Sequence, residues 1–145
     1  MTTKQKGNLT ELQCLASFVE LGYNVSIPYG EDSKYDFIAD INGILIKVQV
    51  KTSSLKNNTT DAIVFSCRST HKNSNGASNI RYTKNEIDYF ATYWKNKCYL
   101  VPVEETSTEK TLRFAPPKNN CPNINYAKDY ELEIQLSKFL EGGSN

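Results

Sequence analysis

The stretch Tyr35 to Lys51, YDFIADINGILIKVQVK, constrains the fold of this chain more than any other. Two apolar-rich alternating runs flank Asn42-Gly43, the dipeptide best suited to a two-residue hairpin turn because both residues accept positive φ. Closing the turn there sets Ile41 opposite Ile44 and, by continuation, Asp36 opposite Gln49. Side chains alternate faces along a strand, so Tyr35, Phe37, Ala39 and Ile41 share an apolar face with Ile44, Ile46, Val48 and Val50. The other face brings a carboxylate, an amide and an ammonium together: Asp36, Gln49 and, diagonally, Lys51. Such a cluster suits phosphate chemistry; it equally suits a sheet face that a charged pair keeps soluble.

Composition narrows the setting. A chain of 145 residues that is 39% hydrophobic suits one domain, expected over 1–145 with a loose tail at about 142–145. No apolar run reaches the length of a membrane span, and the first residues, MTTKQKGN, have no apolar segment behind them. The expectation is therefore a cytoplasmic protein without a membrane partner. Cys14, Cys67, Cys98 and Cys121 form no CxxC pair and His71 is the single histidine, so four buried thiols are expected in place of a zinc site or disulfides. Net charge is only +1, yet residues 47–97 hold nine basic and three acidic side chains, an excess suited to a polyanion-binding face.

In chain order, Asn8 predicts an N-cap with Glu11 completing a capping box, Leu9, Leu12, Leu15, Ala16 and Val19 form the stripe, and Gly22 ends the helix. YNVSIPYG predicts a strand or arm. After a polar loop over TSSLKNNTTD, DAIVFSCRST predicts a strand with Ile63, Phe65 and Cys67 on one face. HKNSNGASN and a return at Ile80 to Tyr82 suggest a long hairpin with Asn75-Gly76 at its tip. A two-stranded ribbon of this kind fits a major groove, where Arg68, Lys72, Asn73, Asn75 and Arg81 suit bases or phosphates; it equally reads as a flexible polar surface loop. Thr83 and Glu86 predict a second capped helix, with Ile87, Phe90, Ala91 and Trp94 along one side and Lys84 exposed. KCYLVPVEE reads as a central strand and TLRFAPP as another. NNCPNIN is a loop, and AKDYELEIQLSKFLEG is a closing helix buried through Tyr130, Ile134 and Leu140. The pattern as a whole predicts an α/β domain, a mixed β-sheet flanked by helices with an added β-ribbon.

At this point the chain resembles the PD-(D/E)XK nuclease superfamily. An acidic residue on the first helix, an Asp at a strand start and an acid-x-Lys on the next strand are matched by Glu11, Asp36, Gln49 and Lys51. KGNLTE, ELGY, VQVKTS, EIDYF and AKDYEL look like the small branch containing a group I intron-encoded homing endonuclease, which also carries glutamine at the second acidic position. The resemblance implies a restriction-endonuclease-like core and a Mg2+-dependent, sequence-specific double-strand endonuclease, with Mn2+ as a substitute metal. It casts Glu11, Asp36, Gln49 and Lys51 as catalytic. Glu11, Asp36 and the Val50 backbone carbonyl would hold metal, and Arg68, Lys72, Asn73, Asn75, Arg81 and Lys84 would contact DNA. Its implied partners are double-stranded DNA and copies of the chain itself, as a dimer or homotetramer. Gln49 departs from the superfamily pattern: its neutral amide draws metal less strongly than a carboxylate. That departure keeps open a catalytically inactive DNA-binding relative, and a Holliday-junction-resolvase-like nuclease, which would use the same four residues with little base reading, is the other alternative.

Overall fold

Among the described residues, ten strands and two α-helices arise in the order α1 (Thr3–Glu20), β1 (Asn24–Ser26), β2 (Phe37–Ile41), β3 (Ile44–Val50), β4 (Ser54–Leu55), β5 (Ala62–Ser66), β6 (Arg68–Asn73), β7 (Gly76–Arg81), β8 (Tyr89–Trp94), β9 (Lys97–Pro102), β10 (Glu109–Arg113) and α2 (Leu132–Gly142). The computed structural model describes residues 1–73, 76–117 and 122–142, and for residues 70–73 and 76–80 it describes the backbone alone. The expected tail residues 143–145 and Cys121 lie outside the described residues.

The β2–β3 hairpin forms as the sequence predicts, with Ile41 against Ile44 and Phe37 against Val48. Asn42 and Gly43 take φ of 53° and 94°, and the Gly43 N–H donates to Asp40 Oδ1 at 2.7 Å, closing the turn. β1 pairs with β2, and β3 pairs in parallel with β8, which pairs antiparallel with β9, giving the order β1-β2-β3-β8-β9. A second sheet, β10-β5-β4, and a separate β6–β7 ribbon fill the long crossover from β3 to β8 and the return after β9.

This layering makes two cores. On one face of the main sheet, Cys14 and Phe18 of α1 and Leu132 and Leu136 of α2 pack on Phe37, Ala39, Ile46, Val48, Ala91 and Leu100. On the other face, Ile63, Phe65 and Leu112 of the small sheet pack on Phe90, Tyr99 and Val101. β8 and β9 therefore send alternate side chains into both cores, which is why their sequences read as near-continuous apolar runs. Cys14, Cys67 and Cys98 are buried free thiols.

The second capped helix is not formed. Thr83 and Glu86 make their expected local bonds, with the Thr83 N–H donating to Glu86 Oε1 at 3.0 Å, but they close a single turn. From Tyr89 the chain is extended, turning back through Lys95 and Asn96 at φ of 45° and 69°. Intrinsic preference separates helix from strand by under about 1 kcal/mol per residue. Burying Tyr89, Phe90 and Ala91 between two layers outweighs that at about 1.5–3 kcal/mol per large side chain. The apparent helical stripe came from a strand apolar on both faces. β9 is correspondingly an edge strand of the five, covered on both faces, and not the central one.

The first helix starts earlier than expected. Thr2 is the N-cap and Gln5 completes the capping box, so Asn8 and Glu11 lie within the helix. Its inward face is Thr10, Cys14 and Phe18, with Leu15 half-buried, whereas Leu9, Leu12 and Val19 are exposed. Gly22, at φ 90°, follows its end as predicted. In the last segment a 3-10 turn, Ala127–Tyr130, precedes α2, whose buried residues are Leu132, Gln135 and Leu136; Ile134 and Leu140 face outward. Among the described residues no helix is long and apolar enough to cross a membrane.

Candidate active site

Asp36 stands immediately before β2, and there the ladder departs from the expected register. Its N–H donates to Val48 O at 2.8 Å, so Asp36 does not form the direct pair with Gln49, and its Oδ2 accepts from the Val50 N–H at 2.7 Å. A carboxylate gains more from a backbone N–H than from facing an amide, and the bond fixes it over the end of β3. The Gln49 backbone pairs with Phe90, and its half-buried side chain makes no hydrogen bond among the described residues.

Glu11 approaches from α1. Because Gln5, and not Glu11, completes the capping box, helix capping no longer accounts for this acid. The side chain is half-buried and has no hydrogen bond or ion pair among the described residues. Burial, and next the negative charge of Asp36, raise its pKa above the ordinary carboxylate value. Burial likewise raises Asp36, opposed by the Val50 N–H and by Lys51. A half-buried Glu11 whose ionisation the Asp36 charge opposes, beside an Asp36 that burial also raises, makes a place where a cation is favoured.

Lys51 follows β3, its N–H bonded to Ala91 O at 2.9 Å. Its Nζ donates to Arg68 O at 2.8 Å and lies 5.5 Å from the Tyr82 ring centre. Burial lowers the Lys51 pKa, and nearby Cys67 and Asp36 counter it. Tyr82 packs edge-on against Phe90 at 5.4 Å and hydrogen-bonds Ser69 through its hydroxyl. Both strands of the ribbon thus reach Lys51 at their root, through Arg68 at the start of β6 and Tyr82 just after β7. Sequence reasoning missed this seat, because Tyr82 reads only as the end of a return strand and nothing local links it to Lys51.

The ribbon pairs from Arg68 with Arg81 out to Asn73 with Gly76, longer than the short return strand expected. Asn73 opposite Gly76 moves the predicted tip off Asn75-Gly76; Asn75 lies outside the described residues, as do the side chains of Lys72 and Asn73. The Arg81 guanidinium donates to Thr106 O at 2.9 Å, tying the ribbon to the body. Lys84 is exposed in the turn between β7 and β8, outside the ribbon strands.

The residues fit a divalent metal in their donor chemistry: two carboxylates, an unengaged amide oxygen and a backbone carbonyl are the hard oxygen ligands such ions take. No group of three or more His, Cys, Asp or Glu residues able to hold a metal occurs among the described residues, so the donor set rests on Glu11 and Asp36.

Residues 1–133 match the family model described as PD-(D/E)XK endonuclease. No curated protein matches the chain. Among solved structures, the chain is similar to a bacterial homing endonuclease, I-Ssp6803I, at 25% identity and a TM-score of 0.78, with all of both chains covered.

Proposed function

The chain belongs to the PD-(D/E)XK endonuclease family, and on that premise we propose that it is a sequence-specific double-strand DNA endonuclease of the homing type, dependent on Mg2+. The observation that carries this reading is the seat of Lys51: the residue that would meet the scissile phosphate is held by the root of the ribbon that would read DNA.

Glu11, Asp36 and the Val50 carbonyl would hold the metal. When bound it supplies Lewis-acid stabilisation of phosphate oxygens and an acidified water. The chain's own residues supply the rest. Asp36, pinned by the Val50 N–H, presents its remaining oxygen in one orientation. Lys51, its proton affinity lowered by burial, accepts or donates a proton at Nζ and offsets phosphate charge, while the Arg68 carbonyl sets where Nζ points. Gln49 offers an oxygen without charge, which favours one metal over two. The ribbon residues Arg68, Lys72, Asn73, Asn75 and Arg81, with Lys84, would contact the duplex. A homodimer or homotetramer supplies the second active site that the opposite strand needs.

The neutral Gln49 also favours a second reading, a DNA-binding protein that has lost cleavage. A randomised-site duplex library, incubated with and without Mg2+, separates the two. Cutting at one long consensus that requires Mg2+ and disappears in Lys51→Ala supports the nuclease. Retained binding without cutting in the wild type supports the second reading.

A further inference from the structure

A second recognition feature lies away from Lys51. Thr60, two residues before β5, lines a cavity of about 770 Å3, whereas Cys67, beside Lys51, follows the other end of that strand. At about 3.3 Å per residue the two are on the order of 20 Å apart.

The cavity walls are aromatic. Trp94 of β8, Tyr99 of β9, Phe114 after β10 and Tyr126 line it, with Tyr99 and Phe114 edge to face at 6.3 Å. Phe114 remains 42% exposed on the cavity side of that pair, adding to a contiguous aromatic lining. The rim is cationic, formed by Lys95, Lys97, Arg113 and Lys128. Among the described residues Glu131 is the only acid on the lining, and it is taken by Lys97 at 2.9 Å. Lys95, Arg113 and Lys128 form no ion pair among the described residues; Lys128 Nζ lies 5.9 Å from the Tyr126 ring centre.

That combination selects the occupant. A purely apolar surface laid across the cavity would bury Lys95 and Lys128 without an ion-pair partner, at a cost of several kcal/mol each, while among the described residues the Arg113 guanidinium donates only one bond, to Ala115 O at 3.0 Å. An occupant with a flat ring and an adjoining anion uses both wall and rim, since bases stack on aromatic side chains in any sequence and phosphate meets the cations. The volume is within the range of small-ligand sites. The geometry points to a nucleotide-binding site, holding a base against Trp94 and Tyr126 and its phosphate at Arg113 and Lys128. Its occupant is an unpaired nucleotide, supplied either by a single-stranded stretch of DNA or by free nucleotide. This goes beyond the cleavage reading, as it uses none of the residues around Lys51.

Trp94 is the sole tryptophan, so its fluorescence reports on the cavity. The full chain is titrated with deoxyadenosine monophosphate, an eight-nucleotide oligothymidylate, a duplex and inorganic phosphate. Saturable quenching by the mononucleotide or the oligonucleotide is expected, weakening with salt, with no quenching by phosphate alone. Lys128→Glu and Tyr126→Leu each weaken it about tenfold or more, and Lys51→Ala leaves it unchanged whether or not that variant cleaves. Much tighter binding of the oligonucleotide identifies a DNA strand as the source, and similar affinities identify free nucleotide. The proposal is overturned by the absence of a saturable change with any nucleotide, by quenching that both cavity variants leave intact, or by quenching that follows protein concentration without ligand.

Discussion

At the scale of single residues, the hydrogen bond from the Val50 N–H to Asp36 Oδ2 gives one side chain two separable roles. An asparagine keeps an oxygen for that bond but loses the charge; an alanine leaves a partly buried N–H without a partner. Asp36→Asn is therefore expected to retain wild-type stability in urea unfolding while abolishing cleavage. Asp36→Ala should lose about 1–3 kcal/mol as well. Equal stability of the two variants would remove the structural role. Strand alternation alone brought Asp36 and Lys51 together, as the structure does, whereas the expected direct pair of Asp36 with Gln49 is not formed. The slip that turns Asp36 onto Val50, and the cradle of Arg68 O and Tyr82 around Lys51, were not legible in the sequence, because each depends on backbone geometry and on residues distant in sequence.

At the scale of elements, the two capping boxes read from the sequence had opposite fates for one reason: a capping box starts a turn, and packing decides whether the turn continues. Thr83–Glu86 closes a turn that runs into β8, since two cores await the side chains of 89–94. In α1 the operative box is Thr2–Gln5. Thr2→Ala is thus expected to lower stability by about 1 kcal/mol, whereas Asn8→Ala, inside the helix, should not destabilise by capping loss. Circular dichroism melts of the two variants check this, and the reverse order would restore the later start. The misplaced stripe has the same origin. Leu9, Leu12 and Val19 satisfy a helical period as well as Thr10, Cys14 and Phe18 do, and only the position of the sheet selects between them.

At the scale of the whole molecule, the tyrosines set the alkaline limit. Burial, and next nearby carboxylates, push Tyr89 up to about 12 and raise Tyr130, whose hydroxyl also donates to Glu105 at 2.7 Å. A phenol with a raised folded-state pKa gives stability that is complete below the ordinary tyrosine value of about 10 and is lost as pH climbs through the folded value. Unfolding free energy should therefore fall between about pH 10 and 12. Tyr130→Phe should flatten that fall, and tyrosinate absorbance should appear together with unfolding. The exposed Leu9, Leu12 and Val19 of α1 make an apolar face on the outside of the molecule. Sedimentation is expected to give a multiple of the 16.4 kDa chain mass, reduced by Leu12→Glu; a monomer at micromolar concentration would count against paired active sites.

By itself the sequence determined the β2–β3 hairpin and its register, the end of α1 and start of β1 around Gly22, the existence of a ribbon, and Asp36, Gln49 and Lys51 as candidates, with Glu11 added by the family resemblance. Those features rest on local rules, namely turn stereochemistry, side-chain alternation and motif spacing, which act within a few residues. Only the tertiary structure decided that 89–94 is a strand, which face of α1 is buried, that Glu11 is free of a capping role, and that the ribbon root holds Lys51. In each of these the local preferences differ by less than about 1 kcal/mol per residue. The burial of several side chains in a shared core, contributed by segments distant in sequence, settles the outcome.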